Sequence, residues 1–113
     1  DIDGVLATFR HPRIELIASG RVLDGAEAVR RYLDDRRRSF PDQAFEVISL
    51  HHSDDAVVVE HWLTGTHLGQ LQGVEATGRR FKARMATIFE FDGAALSGQR
   101  LYYDAGTIAR QLA

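Results

Sequence analysis

The sequence predicts an α+β domain in which the helices come first and long strands follow, and three observations carry that expectation. An apolar stripe with helical spacing occupies residues 25–39, the hydrophobic period changes to two from Gln43 onward, and Asp92-Gly93 interrupts the last long run with a strong hairpin signal. Strands that are consecutive and joined by short links pair mostly antiparallel, which completes the class. The 113 residues suit a single domain spanning 1–113, and 44% apolar composition is enough to bury one core.

Residues 1–9 read as the last turns of a helix built on Ile2, Val5, Leu6 and Phe9, stopped by His11-Pro12, because proline disfavours helical geometry in the residue before it. The chain starts at Asp1 with almost no lead-in to this helix, so the reading expects part of the N-terminal helix to be missing. Arg13–Ala18 alternates as a half-buried strand, Ser19-Gly20 turns, and Arg21–Leu23 is its short sequel. Asp24 and Glu27 have capping-box spacing and predict a helix from about Gly25 to Ser39, ended by Phe40-Pro41-Asp42. Its apolar stripe is Ala26, Val29 and Leu33 with Tyr32 alongside; Asp34 and Asp35 stand at pairing distance from Arg30, Arg31 and Arg38, so the arginines read as a solvated, self-paired face.

Ala44–His52 then alternates as a strand, Ser53-Asp54-Asp55 turns, and Ala56–Thr64 is a long β-branched strand. Gly65–Gly78 is a glycine-spaced loop, read as an excursion between strands because its spacing matches no phosphate-binding motif. In Arg79–Phe91 one face carries Phe81, Ala83, Met85, Thr87 and Phe89, and the other Arg80, Lys82 and Arg84. Ala94–Tyr103 is the closing strand, and a short helix follows Asp104.

Composition narrows the function. A formal charge of −2 gives no basic field for nucleic acid or anionic lipid. Cysteine is absent, which excludes disulfides and thiolate metal sites. No apolar run approaches the roughly 20 residues of a membrane span, and no signal-peptide pattern opens the chain, so the reading is a soluble, cytoplasmic protein. Five histidines invite a metal reading, yet His61 and His67 lie roughly 20 Å apart along an extended strand and His51 and His52 point to opposite faces, so no metal site is expected.

The chemistry-bearing stretch is the C-terminal one. Alternation puts Arg100, Tyr102 and Asp104 on one strand face. Asp104, at the strand–helix junction, has two readings: it caps the helix amides, or it is a general base with a pKa raised by apolar walls. In the second reading Tyr102 with His67 or His61 polarises a substrate carbonyl and Arg100 holds an anionic group or keeps Asp104 ionised. His61, between Val59 and Leu63 on its own face, is a hydrogen-bonded core histidine or a catalyst. Trp62, Phe81, Met85 and Phe89 supply the apolar substrate-binding surface on the neighbouring strands.

Phe40-Pro41-Asp42, the Val57-Val58-Val59-Glu60-His61-Trp62 strand, Gly65-Thr66-His67-x-Gly69, Thr77-Gly78-Arg79, and Tyr102-Tyr103-Asp104 before Gln111-Leu112-Ala113 together resemble the SnoaL-like polyketide cyclases of the nuclear transport factor 2-like superfamily, over about residues 22–113. The resemblance implies a cone: a curved, mostly antiparallel sheet wrapped around N-terminal helices, enclosing a pocket for a hydrophobic small molecule and forming a homodimer through the outer sheet face. It implies a cofactor-independent cyclase or isomerase in which an aspartate, here Asp104, is acid/base on a carbonyl compound and His67 is a pocket member. Two departures stand out: Glu75-Ala76 precedes Thr-Gly-Arg where the family often has proline, and the N-terminal helix is nearly missing. The alternatives are a non-catalytic binder of an apolar small molecule and an epoxide hydrolase-like enzyme; for the latter, Arg100 and Asp104 supply only part of an Asp-Arg-Asp set.

Overall fold

The computed structural model describes residues 2–113. In chain order it contains α1 (Ile2–Ala7), β1 (Arg13–Leu16), β2 (Arg21–Asp24), α2 (Ala26–Ser39), β3 (Ala44–His52), β4 (Ala56–Thr66), β5 (Arg80–Asp92), β6 (Ala95–Tyr102) and α3 (Ala105–Leu112). The strands form one curved six-stranded sheet in the order β2-β1-β6-β5-β4-β3. Every pairing is antiparallel except β1 with β6, which is parallel and brings the N-terminal strand beside the C-terminal one. The expected α+β class and the antiparallel run of β4, β5 and β6 are present.

The alternation seen in the sequence fixes what each strand buries. On β5, Phe81, Ala83, Met85 and Thr87 are buried while Arg80, Lys82 and Arg84 are exposed, as period two requires. β3 carries a bulge between Val47 and Ser49, which shifts its register on β4 by one residue. Two apolar clusters result. One joins Phe40, Leu63, Phe81, Ala83, Met85, Ile108 and Leu112, and the other joins Phe9, Ile14, Leu16, Leu23, Val29 and Leu96.

The start of α2 differs from the capping-box expectation. Gly25 is the N-cap, with φ 96°, and no side chain caps the helix. Asp24 is the last residue of β2, opposite Arg13, and its carboxylate meets the His11 ring instead; strand pairing aims it away from the helix amides. The arginine face pairs differently from the i,i+4 pattern expected with Asp34 and Asp35: Arg30 reaches Asp3 of α1, Arg31 reaches Glu27, and Arg38 reaches Asp35 three residues before it.

The far end of α2 is pinned to the sheet. Asp42 accepts from Thr66 N–H at 2.7 Å and from Thr66 Oγ1 at 2.6 Å, and these bonds hold its carboxyl below the usual carboxylate range. Ser39 O accepts from the amides of Leu68 and Gly69, at 3.0 and 3.2 Å. The loop 67–79 is thereby folded back over the helix end.

Candidate functional site

A cavity of about 680 Å³ lies between α2 and the sheet face turned toward it. Its depth is formed by buried Ile14, His61, Leu63, Met85 and Thr87, and its open side by exposed Arg37, Gln43, Phe45 and Val47. The volume and the mainly apolar lining with a few convergent polar groups are those of a small-molecule site.

His61 is the titratable group at the bottom. It is 3% exposed, its Nε2 is 2.9 Å from Thr87 Oγ1, and Phe45 stands edge-on to its ring at 4.8 Å. Nδ1 faces the Trp62 carbonyl at 3.5 Å. In the tautomer with its proton on Nδ1, facing that carbonyl, the Nε2 lone pair accepts from the Thr87 hydroxyl. Burial pushes the imidazole pKa below its ordinary value, with the Trp62 carbonyl opposing weakly, so the ring is neutral near pH 7. Such a ring stands in its basic form at neutral pH, while the same burial makes it a weaker base than an exposed imidazole.

Around it, Tyr32 reaches in from α2, and Gln99, Leu101 and Tyr103 from β6 and the residue that follows it. Burial raises the pKa of the Tyr32 phenol, which keeps it a hydrogen-bond donor. Among the described residues, no hydrogen bond within the protein occupies the side chains of Tyr32, Gln99 or Tyr103.

The expected site residues divide sharply by face. His61, Met85 and Phe89 line the cavity. Arg100, Tyr102 and Asp104 do not, because register settles the phase of β6: Thr87 pairs with Leu101 and Phe89 with Gln99, so these share the cavity face, whereas Ile88 and Ala86 pair with Arg100 and Tyr102 on the other. Arg100 is bonded to Glu90, and Tyr102 is 39% exposed. Asp104 is the N-cap of α3: its Oδ1 accepts from Gly106 N–H at 3.1 Å and its Oδ2 from Thr107 Oγ1 at 2.8 Å, with Arg110 3.7 Å away. The Thr107 and Gly106 bonds lower its pKa, the reverse of the shift a raised-pKa base requires.

Trp62 lies on the outer face, its ring between Lys82 Nζ at 4.5 Å and Arg84 Cζ at 4.7 Å; alternation with cavity-facing His61 puts it there. Phe81 is spent in the core against Phe40, 4.9 Å between ring centroids. His67 is 1% exposed but outside the cavity lining. Its Nδ1 accepts from Thr77 N–H at 3.3 Å and contacts Thr77 Oγ1 at 3.1 Å, which ties the two ends of the 67–79 loop together. Among the described residues, no group of three or more His, Asp or Glu is placed to hold a metal ion, and no helix is long and apolar enough to cross a membrane.

A model of the SnoaL-like polyketide cyclase family matches residues 5–112. The chain belongs to that family. Solved structures share the fold of this SnoaL-like chain. A candidate SnoaL-like polyketide cyclase from Jannaschia sp. CCS1 superposes with a TM-score of 0.90 at 21% identity, covering 98% of this chain and 77% of that one. A candidate polyketide cyclase from Acidithiobacillus ferrooxidans has a TM-score of 0.78 at 29% identity, over 98% of this chain and 81% of that one. A protein with a ketosteroid isomerase-like fold from Catenulispora acidiphila, in complex with trimethylamine, has a TM-score of 0.82 at 16% identity, over 97% and 80%. No curated protein matches the SnoaL-like chain.

Sequence reasoning missed Thr87 as the partner of His61, and Tyr32, Gln99 and Tyr103 as cavity residues. For Thr87 a signal existed: it is the one hydroxyl on a strand face otherwise made of Phe81, Ala83, Met85 and Phe89.

Proposed function

We propose that this SnoaL-like protein binds a hydrophobic carbonyl compound in the cavity between α2 and the sheet and moves a proton on it, as a cyclase or isomerase does, with His61 as the acid/base. The observation that carries this reading is the pairing of a buried, neutral imidazole with a hydroxyl, inside an apolar cavity large enough for a ligand of several rings. The Thr87 hydroxyl turns from His61 Nε2 to the substrate carbonyl oxygen, and the freed Nε2 lone pair takes a proton from the carbon next to the carbonyl. The electron pair moves into the C–O bond, and the Thr87 hydroxyl, free to rotate, donates to the resulting enolate oxygen. Return of the proton from the imidazolium completes an isomerisation; attack of the enolate carbon on a second carbonyl of the same molecule, with that proton delivered to the new alkoxide, completes an aldol closure. General acid–base help of this kind is worth roughly 10²–10⁴ in rate.

Asp104 enters this reading as the cap that sets α3 against the sheet, since its carboxylate is exposed and engaged by Thr107 and Gly106. The expected homodimer we place on the outer sheet face bearing Trp62, Lys82 and Arg84; sedimentation equilibrium tests it.

The second reading, a binder without chemistry, is favoured by the absence of Asp104 from the cavity lining. Deuterium exchange separates the two. With the enolisable ketone 2-tetralone in heavy water, the protein is expected to accelerate exchange of the protons next to the carbonyl, and His61→Gln to lose about 100-fold or more of that acceleration while still binding the ketone. Binding without accelerated exchange in the unaltered protein supports the binder. Exchange that survives His61→Gln but not Asp104→Asn returns the acid/base role to Asp104.

A further inference from the structure

The apolar stripe of α2 runs Val29, Leu33, Arg36, Phe40, a spacing of three to four residues that keeps all four on the face toward the sheet. One of these inward positions carries a guanidinium. Arg36 is half-buried, lines the cavity, and lays its Cζ 4.9 Å from the centroid of the Phe40 ring. Its hydrogen-bond partner is a neutral amide, Gln43 Oε1 at 3.3 Å. Among the described residues, no carboxylate lies within ion-pair distance of Arg36 or of Arg37 beside it on the rim, whereas Arg30, Arg31 and Arg38 of the same helix each have one. Arg100, the cation expected to meet an anionic group, is held by Glu90 on the far side of β6.

A partly desolvated cation at the edge of an apolar cavity, unmatched by any protein anion, is a place where a ligand's own anion is stabilised. We propose that the ligand is an amphipathic carboxylate whose carboxylate is held by the Arg36 guanidinium, with Arg37 adding positive field at the opening, while its apolar body fills the cavity toward His61. This assigns Arg36 a specificity role and rests on the reading of the cavity as a ligand site given above. The fork of the guanidinium matches the two oxygens of a carboxylate, and the Gln43 side chain is close enough to follow it.

The test compares 2-naphthylacetic acid with its methyl ester at neutral pH, two probes that differ by a charge and one carbon, with affinities read by isothermal calorimetry. The unaltered protein is expected to bind the acid about tenfold more tightly than the ester, the scale of one charge-assisted pair. Arg36→Met, which keeps an apolar stem over Phe40, is expected to abolish that preference and leave the ester's affinity within a few fold; Arg36→Lys is expected to restore part of it. Arg36→Gln is the second charge-removing variant should Arg36→Met fail to fold. Equal affinity for the two probes in the unaltered protein, or a preference that survives removal of the charge, overturns the assignment and leaves the cavity reading standing. Failure of both probes to bind overturns the two together.

Discussion

Thr87 Oγ1 and His61 Nε2 face each other at 2.9 Å across β4 and β5, and this pair is the polar centre of an otherwise apolar cavity floor. His61 pairs in register with Met85, one pleat from Thr87, so the contact is diagonal and set by the ladder rather than by a loop. Backbone hydrogen bonding thus preorganises the site.

The pair carries a pH signature. The His61 pKa is lowered in the folded protein because burial disfavours the imidazolium. The unfolded chain therefore binds this proton more readily, so His61's contribution to stability is complete above the ordinary imidazole value of 6.5 and is lost as pH falls from there through the folded value. Thermal midpoints measured from pH 8 downward should fall in this range for the unaltered protein and less steeply for His61→Phe. Asp42 and Asp104, whose pKa values are depressed by hydrogen bonds, act only below their ordinary 3.8 and cannot produce this early loss.

Asp104→Asn should separate stability from binding. The change weakens the carboxylate's bonds to Gly106 N–H and Thr107 Oγ1 and removes its attraction to Arg110, so α3 loosens and the melting midpoint falls by several degrees. Affinity for 2-tetralone should stay near that of the unaltered protein, because Asp104 is outside the cavity lining. A large loss of affinity with an unchanged midpoint would reverse this assignment.

Much of this architecture was legible because the signals were unambiguous. On β5 every inward residue from Phe81 to Phe89 is uncharged and the other face opens with Arg80, Lys82 and Arg84, so alternation names the face as well as the strand. On β6 both faces are mixed: Arg100, Tyr102 and Asp104 on one, Gln99, Leu101 and Tyr103 on the other. Period two is then visible while its phase is not, and a one-residue difference in phase exchanges the faces. Only the pairing with Thr87 and Phe89 resolves it. Likewise Asp24 has capping-box spacing, but whether it caps depends on where β2 ends, which Gly25 at φ 96° decides. Arg36 was readable in principle, since a helical stripe through Val29, Leu33 and Phe40 passes through it.

Gly69→Ala tests the packing that closes the far end of α2. A Cβ at Gly69 would sit 2.0 Å from Arg38 O, which is backbone and cannot swing aside. The substitution should cost about 1–3 kcal/mol through forced displacement of the 67–79 loop, read by urea denaturation. An equal midpoint in urea would show that this loop is not clamped to the helix as described.

The chain has one methionine and one tryptophan, and the sheet places them on opposite faces: Met85 in the cavity, Trp62 outside between Lys82 and Arg84. Nuclear magnetic resonance of protein labelled at the methionine methyl group therefore tests the central claim, that the cavity beside His61 is where a carbonyl ligand binds. Addition of 2-tetralone should shift the Met85 methyl resonance and give magnetisation transfer between that methyl and the ligand's ring protons, with the Trp62 indole resonance unmoved. A shifted Trp62 indole with an unchanged Met85 methyl would put the ligand on the outer face and contradict the account.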